Sequence, residues 1–298
     1  MNKAHNTIIN NIGIPIQSNK FKINGHTIHY IKAGSGTPVV LVHGVNIGWG
    51  QWYKNIKALS KAFTVYAIDL PGSGKSSSID FLHADLYRDF IDVLGKFVTI
   101  IVKKEPHIIA HSIGAWVVLK AYLNKQVFPK SLILVNPVGF TTHMPWNQRL
   151  LAIPFFAKFI ASNPMYPSKK NLAAFFEGVM YDLEKIDNIF VDYVHESINE
   201  SIVRHPLLLI SRLAGLTKVK DEFNLIHDIK NISVKTLTIL GQHDPLVPHD
   251  VATENIKLNK YINVELMRNS GHVPFIEQST LFNKKIISFI RKIELVSR

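Results

Sequence analysis

The segment Ile108–Ala115 could supply a nucleophile, because it places Ser112 between an apolar run and a run with helical spacing. A serine at a sharp strand-to-helix turn has a strained backbone, and the residues two positions before and after it must be small. Ala110 and Gly114 meet that requirement. A helix starting at Ile113 would direct its amide dipoles at the serine oxygen. The segment therefore predicts attack of a serine hydroxyl on a carbonyl carbon.

A serine hydroxyl needs a base within hydrogen-bond reach, and the base needs a group that orients it. Asp244 lies in a turn directly after the apolar run Thr236–Leu240, from which a carboxylate can reach inward. An aspartate before a proline is also common in ordinary turns. Among the 14 histidines, His272 alone lies in a loop between the last apolar run and the final helical segment. Asp244 and His272 are therefore the candidate acid and base.

The pattern Ala-His-Ser-Ile-Gly at 110–114 resembles the nucleophile elbow of the α/β-hydrolase superfamily. Other segments resemble the same family in order and spacing, including Gly-His-Val-Pro-Phe-Ile-Glu at 271–277. The resemblance spans roughly residues 21–291, and its chain order of serine, acid and histidine implies Ser112 as nucleophile, Asp244 as acid and His272 as base. It departs at Ala110, where glycine is commonest, which affects local packing more than chemistry.

The resemblance also implies an oxyanion hole built from the backbone amides of Val45 and Ile113, with Asn46 as the alternative to Val45. His111 and His243 are expected to point away from the site, and Glu277 is expected to anchor its loop.

Phosphate binding is not predicted, because neither glycine-rich segment has the spacing of a phosphate loop. The His43–Gly50 loop lacks a Gly-Lys-Ser ending, and Gly74-Lys75-Ser76 lacks the glycine four residues earlier. Within residues 69–76, the sequence Asp-Leu-Pro-Gly-Ser-Gly instead resembles a structural loop of the family. No metal and no cofactor are predicted.

Short apolar runs predict the buried strands of a mostly parallel sheet, and segments with helical spacing alternate with them. An Asn24-Gly25 turn predicts an antiparallel hairpin of Phe21–Asn24 with Thr27–Ile31. The predicted class is α/β, an α/β-hydrolase fold with a central sheet flanked by helices. The predicted strands are Val39–Val42, Thr64–Ile68, His107–Ala110, Leu132–Val135, Thr236–Leu240 and Val264–Met267, and the predicted helices are Trp52–Lys61, Leu82–Val102, Ile113–Leu123 and Leu281–Ile293.

Strand signals stop between residues 141 and 228, where helical, aromatic-rich stretches are broken by prolines. We interpret residues 141–228 as an inserted helical cap, residues 21–140 and 229–298 as the core, and residues 1–20 as an N-terminal extension. The cap aromatics could line an apolar substrate pocket, or they could form the core of the cap itself. The candidate substrate-binding residues are Trp146, Phe155, Phe156, Phe175, Phe176 and Met180.

Composition excludes several classes of protein. The 298 residues contain no cysteine, which rules out disulfides, thiolate metal sites and thiol catalysis. The formal charge of +12 comes from dispersed lysines, so nucleic-acid binding is not predicted. The longest apolar stretch, Leu150–Ala161, is too short and interrupted for stable membrane insertion. The first twenty residues do not form a signal peptide, and a cytoplasmic location is expected. Oligomeric state stays open.

The functional prediction is a carboxylesterase-like serine hydrolase for a small-molecule ester or acyl substrate with an apolar portion. Serine at the elbow disfavours the dehalogenases and epoxide hydrolases of the superfamily, which use aspartate. One alternative is a carbon–carbon bond hydrolase of the meta-cleavage product type, although Val45 and Val273 stand where those enzymes usually have glycine and tryptophan. A second alternative is a non-catalytic ligand-binding member of the fold.

Overall fold

A computed structural model describes residues 3–45, 47–162, 168–169, 172, 176–198, 206–257 and 259–296. Its strands are β1 (Gln17–Ile23), β2 (His26–Ala33), β3 (Thr37–Val42), β4 (Phe63–Ile68), β5 (His107–His111), β6 (Ser131–Val135), β7 (Thr236–Gly241) and β8 (Ile262–Met267). They form one sheet in the order β1-β2-β4-β3-β5-β6-β7-β8. β2 pairs antiparallel with β1 and β4, and the remaining pairs are parallel. The predicted α/β class with a mostly parallel sheet is confirmed.

Helices cover both faces of this sheet. The α-helices are α1 (Lys3–Ile12), α2 (Tyr53–Leu59), α3 (Asp92–Phe97), α4 (Ile113–Leu123), α5 (Pro154–Ala161), α6 (Asn188–Ile198), α7 (Pro206–Leu213), α8 (His249–Ile256), α9 (Pro274–Glu277) and α10 (Ser279–Val296). Wider π-helical turns at Tyr87–Ile91 and Val98–Val102 extend α3, and 3₁₀ turns lie at Trp49–Trp52, Trp146–Ala152, Leu183–Lys185, Asp221–Phe223 and Ile229–Asn231. The first α-helix after β5 has its predicted bounds, and the first α-helix after β3 and the last α-helix lie within three residues of theirs.

The central strands are buried on both faces because their side chains alternate between two apolar layers. Val40 and Val42 of β3 pack into one layer with α3 and α4. Val39 and Leu41 pack into the other with α1, α2 and α10. This alternation is why the central strands read as continuous apolar runs in the sequence.

The two ends of the sheet differ in how well they were predicted. Asn24 and Gly25 both have positive φ, 51° and 78°, as the two-residue hairpin turn requires, and β1 pairs with β2 in the expected antiparallel sense. At the opposite edge the expectation of a buried strand is wrong for β8. Val264 is 36% and Leu266 38% exposed, because β8 has a neighbour on one side only.

The N-terminal segment is packed onto the core. β1 begins at Gln17, so the boundary drawn at residue 21 falls inside a strand of the sheet. Before it, α1 buries Ile8 and Ile12 against α2 and α6, together with the imidazole of His5. Burial of one face of an amphipathic helix, which the sequence reading did not assign, makes residues 3–12 part of the same fold.

Residues 136–235, here called the insert, connect β6 to β7. Their described part contains α5, α6 and α7 and adds no strand to the sheet; a single antiparallel bridge joins Ala214 to Val219. α5 packs against α7, and α6 packs against α1. Of the described helices, none combines the length and the hydropathy needed to cross a bilayer.

Two buried histidines should make the free energy of unfolding depend on pH. Burial lowers the pKa of His5 and of His107 from 6.5 to about 4. At a pH between these two pKa values, each histidine binds a proton in the unfolded chain but not in the folded chain. The free energy of unfolding therefore falls as pH drops from 6.5 towards 4. Each histidine contributes at most about 1.4 kcal/mol per pH unit.

Urea unfolding at pH 7 and at pH 5 measures this slope. His107→Asn should flatten it, whereas His227→Asn, which changes an exposed histidine, should leave it as in the wild type. Equal slopes for the wild type and the His107→Asn variant would show that His107 takes up its proton equally well in both states.

Candidate active site

Ser112 lies at the tip of β5, where the chain turns sharply into α4. Its backbone has φ 52° and ψ −122°, a conformation that non-glycine residues rarely adopt. A Cβ on Gly114 would lie 2.2 Å from the carbonyl oxygen of His43, so only glycine fits there. The strained turn predicted from the sequence is present, and it brings the first turn of α4 against the loop after β3.

His272 and Asp244 form a buried hydrogen-bonded pair. His272 Nδ1 and Asp244 Oδ2 are 2.7 Å apart, and the two side chains are 8% and 0% exposed. Asp244 Oδ1 accepts from the amides of Leu246 at 2.7 Å and Val247 at 3.1 Å, which fixes the carboxylate. Because a carboxylate only accepts, Nδ1 carries the proton and Nε2 of the neutral ring keeps its lone pair.

Ser112 and His272 line the same cavity. Among the described residues, no hydrogen bond joins Ser112 Oγ to the imidazole of His272. Such contacts are often long without substrate and tighten when one binds. The structure therefore places Ser112 and His272 in the wall of one cavity, with Asp244 hydrogen-bonded to His272 outside that wall.

Glu277 holds the loop that carries His272. Its Oε1 accepts from Gly271 N at 2.8 Å and from Ser270 Oγ at 3.3 Å. Its Oε2 accepts from two amides of the insert, Tyr181 N at 2.8 Å and Asp182 N at 3.0 Å. The expectation that Glu277 anchors its loop is confirmed, and the same carboxylate also ties that loop to the insert.

Asn136 is a positioning residue that the sequence reading missed. Its Nδ2 donates to the carbonyl oxygens of Gly271 at 3.2 Å and His272 at 2.9 Å, and its Oδ1 accepts from Gly241 N at 2.9 Å. Its φ of 43° is one that asparagine tolerates better than most residues. An asparagine directly after a buried strand was the available signal.

His111 does not point away from the site as expected. It lines the cavity, its Nε2 donates to the carbonyl oxygen of His272 at 2.9 Å, and the two rings lie 4.6 Å apart. Burial, followed by the neighbouring charge of His272, lowers the pKa of His111 well below its ordinary value, so its ring stays neutral. His243 is exposed and stacks on Tyr181, in line with the expectation.

Two backbone amides near Ser112 are available to a ligand. Within the described part of the chain, neither Val45 N nor Ile113 N has a hydrogen-bond partner. The loop after β3, which carries Val45, is held by His43. Nδ1 of His43 donates to Gly44 O at 2.7 Å, and its Nε2 accepts from Leu70 N at 2.9 Å. Asn46, the alternative to Val45, lies outside the described residues.

Asp69 supports the far end of that loop from a fully buried position. Its carboxylate accepts from Trp49 N at 2.6 Å, Lys75 N at 2.9 Å and His29 Nδ1 at 2.7 Å. Burial alone would raise the pKa of Asp69, but the hydrogen bonds and charge around it, those of His29 foremost, hold it below its ordinary value. The loop within residues 69–76, which resembles a structural loop of the family, thus positions the loop after β3.

A chain of side chains extends from Asp69 to α1. Trp49 Nε1 donates to His5 Nδ1 at 3.2 Å, His5 Nε2 lies 3.4 Å from Ser18 Oγ, and Ser18 Oγ lies 2.8 Å from His29 Nε2. An indole only donates and a carboxylate only accepts. Each hydrogen bond in this series of side chains is therefore donated in the direction from Trp49 to Asp69. Ser18 is exposed on the edge strand, outside the cavity lining, and the chain serves to fasten α1 and β1 to the core.

The cavity over Ser112 has a volume of about 110 Å³ and a mostly apolar wall. Its apolar residues are Val45, Ile47, Val138, Met144, Pro145, Phe176, Val179, Ile210, Leu213, Val219, Leu246, Val247 and Val273, and its polar side chains besides Ser112 and His272 are His111, Thr141, His143 and Gln148. Much of this wall comes from the insert.

Most of the predicted substrate-binding residues do not line this cavity. Phe176 does, and Met180 is buried elsewhere. Trp146, Phe155 and Phe156 are 81%, 69% and 40% exposed, so the expectation is wrong for them. Phe175 lies outside the described residues.

The orientations of α5 and α7 explain why most of the predicted substrate-binding residues lie outside the cavity wall. The short helix α5 turns Ala157 and Ala161 inward and its phenylalanines outward. The cavity wall missed by the sequence reading comes from Ile210 and Leu213 of α7, whose i, i+3 spacing was the available signal.

The sequence profile of the alpha/beta hydrolase family matches residues 39–284. The chain belongs to this family. Relatives along most of its length are named esterases and hydrolases, and the chain is an enzyme rather than a non-catalytic binding protein.

Among these relatives, a carboxylesterase of Bacillus subtilis is 23% identical over 294 residues, covering 93% of this chain and 89% of its own length. A 2-hydroxy-6-oxononadienedioate/2-hydroxy-6-oxononatrienedioate hydrolase of Comamonas testosteroni is 24% identical, covering 91% and 94%. An Acinetobacter baylyi (E)-2-((N-methylformamido)methylene)succinate hydrolase is 31% identical over 121 residues, which span 40% of this chain and 45% of that relative.

A solved structure shares the fold. The meta-cleavage product hydrolase of Pseudomonas fluorescens superposes with a TM-score of 0.74 at 19% identity, covering 94% of this chain and 98% of its own.

The anchoring role of Glu277 predicts a stability effect. Glu277→Gln replaces one acceptor oxygen by an NH₂ group that would face backbone N–H donors, and we expect a loss of about 1–3 kcal/mol in the free energy of unfolding. Urea unfolding measures it, with Glu184→Gln, the same change on an exposed turn, as a control expected within about 0.5 kcal/mol of wild type. Equal stability of both variants would contradict the role.

Proposed function

We propose that the chain is a serine esterase that cleaves a carboxylic ester, or a related acyl compound with an apolar portion, through an acyl-enzyme. The observation that carries this proposal is the buried Asp244–His272 pair, which leaves a basic imidazole nitrogen at the cavity containing Ser112. The relationship to a carboxylesterase supports it.

In the proposed reaction, Ser112 Oγ attacks the ester carbonyl carbon while His272 Nε2 takes its proton. Asp244 holds the imidazole and stabilises its positive charge. The amides of Val45 and Ile113 donate to the oxyanion, each contributing about 3 kcal/mol. The carbon–oxygen bond to the alcohol then breaks, and His272 returns the proton to that oxygen. Water, deprotonated by His272, attacks the acyl-enzyme and releases the acid and Ser112.

The insert acts in this proposal as the cap over the reacting centre. Its residues give the cavity an apolar wall, which favours an acyl group without charge. A volume of about 110 Å³ is smaller than the engineered cavity of about 150 Å³ that holds benzene in another protein, so a short acyl group fits best.

A carbon–carbon bond hydrolase is the second candidate, and the Comamonas relative is the observation that favours it. That relative's named substrate is a dicarboxylate. Of the described residues that line the cavity, none is lysine or arginine, so two carboxylates would lack permanent cationic partners there. A neutral ester suits the cavity better.

The first test is loss of activity in Ser112→Ala. Hydrolysis of p-nitrophenyl butyrate should fall at least about 10³-fold, because the nucleophile is gone while the fold remains. A fluorophosphonate probe should add one adduct mass to the wild type and none to the variant, with Ser60→Ala, a half-buried serine outside the cavity lining, labelled as the wild type. Ester turnover that survives in Ser112→Ala would refute the mechanism. Labelling of the wild type without ester turnover would favour the carbon–carbon hydrolase.

The second test concerns acyl length. Leu213→Ala enlarges the cavity, and the ratio of kcat/KM for the octanoate over the butyrate ester should rise about tenfold, since each accommodated methylene contributes to binding. Leu216→Ala makes the same change at an exposed position, 63% accessible and outside the lining, and should leave the ratio unchanged. An unchanged ratio in Leu213→Ala would place the acyl group elsewhere.

A further inference from the structure

The insert exposes a large apolar surface on consecutive helical turns. We call it the apolar patch; it consists of Trp146, Leu150, Ile153, Phe155, Phe156, Phe159 and Ile160, each at least 39% exposed. Phe155 and Phe159, one turn apart on α5, are each 69% exposed and stack with their ring centres 6.4 Å apart. Folded proteins rarely leave such a group of large side chains in water unless the surface binds something.

The segment that carries the patch has charges of one sign, and one acidic residue from another segment, Asp80, lies near enough to Lys158 for their charges to interact. Between residues 141 and 176 the sequence contains four lysines and arginines and no aspartate or glutamate. Two of these cations lie among the patch residues and are exposed: Arg149 on the 3₁₀ turn and Lys158 on α5. The whole chain carries a formal charge of +12. The net charge beside the patch is positive, which favours an occupant that is apolar in one layer and anionic beside it.

We propose that the apolar patch docks on an anionic lipid bilayer, with α5 lying in the plane of the headgroups. Aromatic side chains of a short amphipathic helix enter the boundary between headgroups and acyl chains, while neighbouring cations contact lipid phosphates. Aromatic and branched aliphatic side chains interleaved with Arg149 and Lys158 provide both parts. The proposed binding is peripheral, because only side chains of one short helix and the turn before it enter the lipid.

A second copy of the chain fits this surface less well. A symmetric pair would bring Arg149 and Lys158 of one chain close to the same two cations of the other, and Asp80 beside Lys158 would offset only one of the two cations of each chain. A bilayer containing phosphatidylglycerol supplies the missing negative charge.

Docking on the patch would also orient the cavity. Met144, Pro145 and Gln148 line the cavity and belong to the same segment as the patch, directly beside Trp146. The wall over Ser112 would therefore face the membrane, and, on the proposed esterase function, lipid-dissolved esters would reach it without crossing bulk water.

Trp146 provides a direct readout of docking. It is 81% exposed, whereas Trp49, Trp52 and Trp116 are at most 3% exposed, so a blue shift of tryptophan fluorescence reports on the patch. Vesicles of phosphatidylcholine with about one third phosphatidylglycerol should produce the shift and co-float with the protein. Vesicles of phosphatidylcholine alone should bind at least about tenfold more weakly, because each basic residue near an anionic surface adds about 1 kcal/mol.

The double variant Leu150→Ser/Phe159→Ser should lose at least about 90% of vesicle binding, since two large side chains no longer enter the lipid. Phe128→Ser removes a phenylalanine that is 62% exposed outside the patch, and it should bind like the wild type. Neither change touches the cavity lining, so thermal midpoint and p-nitrophenyl butyrate hydrolysis should stay at wild-type values and show that the variants fold.

Equal vesicle binding by the patch variant and the wild type would overturn the proposal. Failure of the wild type to bind either kind of vesicle would also overturn it. In that event the wild type could be a monomer, or it could sediment as a dimer that the patch variant does not form. The second case would assign the patch to a second copy of the chain. Because vesicle binding is measured without any substrate, absence of esterase activity would leave this result intact.

Discussion

The close approach of α4 to the carbonyl of His43 is the contact on which the rest of the site depends. Gly114 permits it, since any side chain there would collide with backbone. The approach forces Ser112 into its strained conformation and brings the free amide of Ile113 near the loop that carries Val45. Strain at the elbow is tolerated because α4 is buried along most of its surface and cannot move to relieve it.

Around that fixed point, buried polar side chains hold the loops. Asn136 and Glu277 fasten the loop of His272, and Asp69 fastens the loop after β3. Each has several partners for its donors and acceptors, which is the condition under which a buried polar group stabilises one arrangement rather than weakening the core. Their donors come from distant parts of the chain, so loop geometry at the cavity is coupled to the packing of α1 and of the insert.

Charge is separated in this molecule between outside and inside. The excess of lysine and arginine lies outside the cavity, whose described lining is mostly apolar and contains no lysine, arginine, aspartate or glutamate. Such a cavity desolvates an uncharged acyl group at little cost and a carboxylate at a large one. The excess of basic residues, which did not predict nucleic-acid binding, has a specific context in residues 141–176, a segment without acidic residues that carries the exposed phenylalanines.

The sequence by itself determined the strands, the elbow at Ser112 and the candidacy of Asp244 and His272. The strands and the elbow follow from local patterns, namely apolar runs and small residues around a turn, whereas the roles of the three residues rest on the resemblance of their segments and chain order to the α/β-hydrolase family. Only the tertiary structure decided which face of α5 turns outward, that Ile210 and Leu213 line the cavity, and that α1 belongs to the core. A short apolar helix can bury either face, and the choice depends on partners far away in the chain, which no local pattern contains.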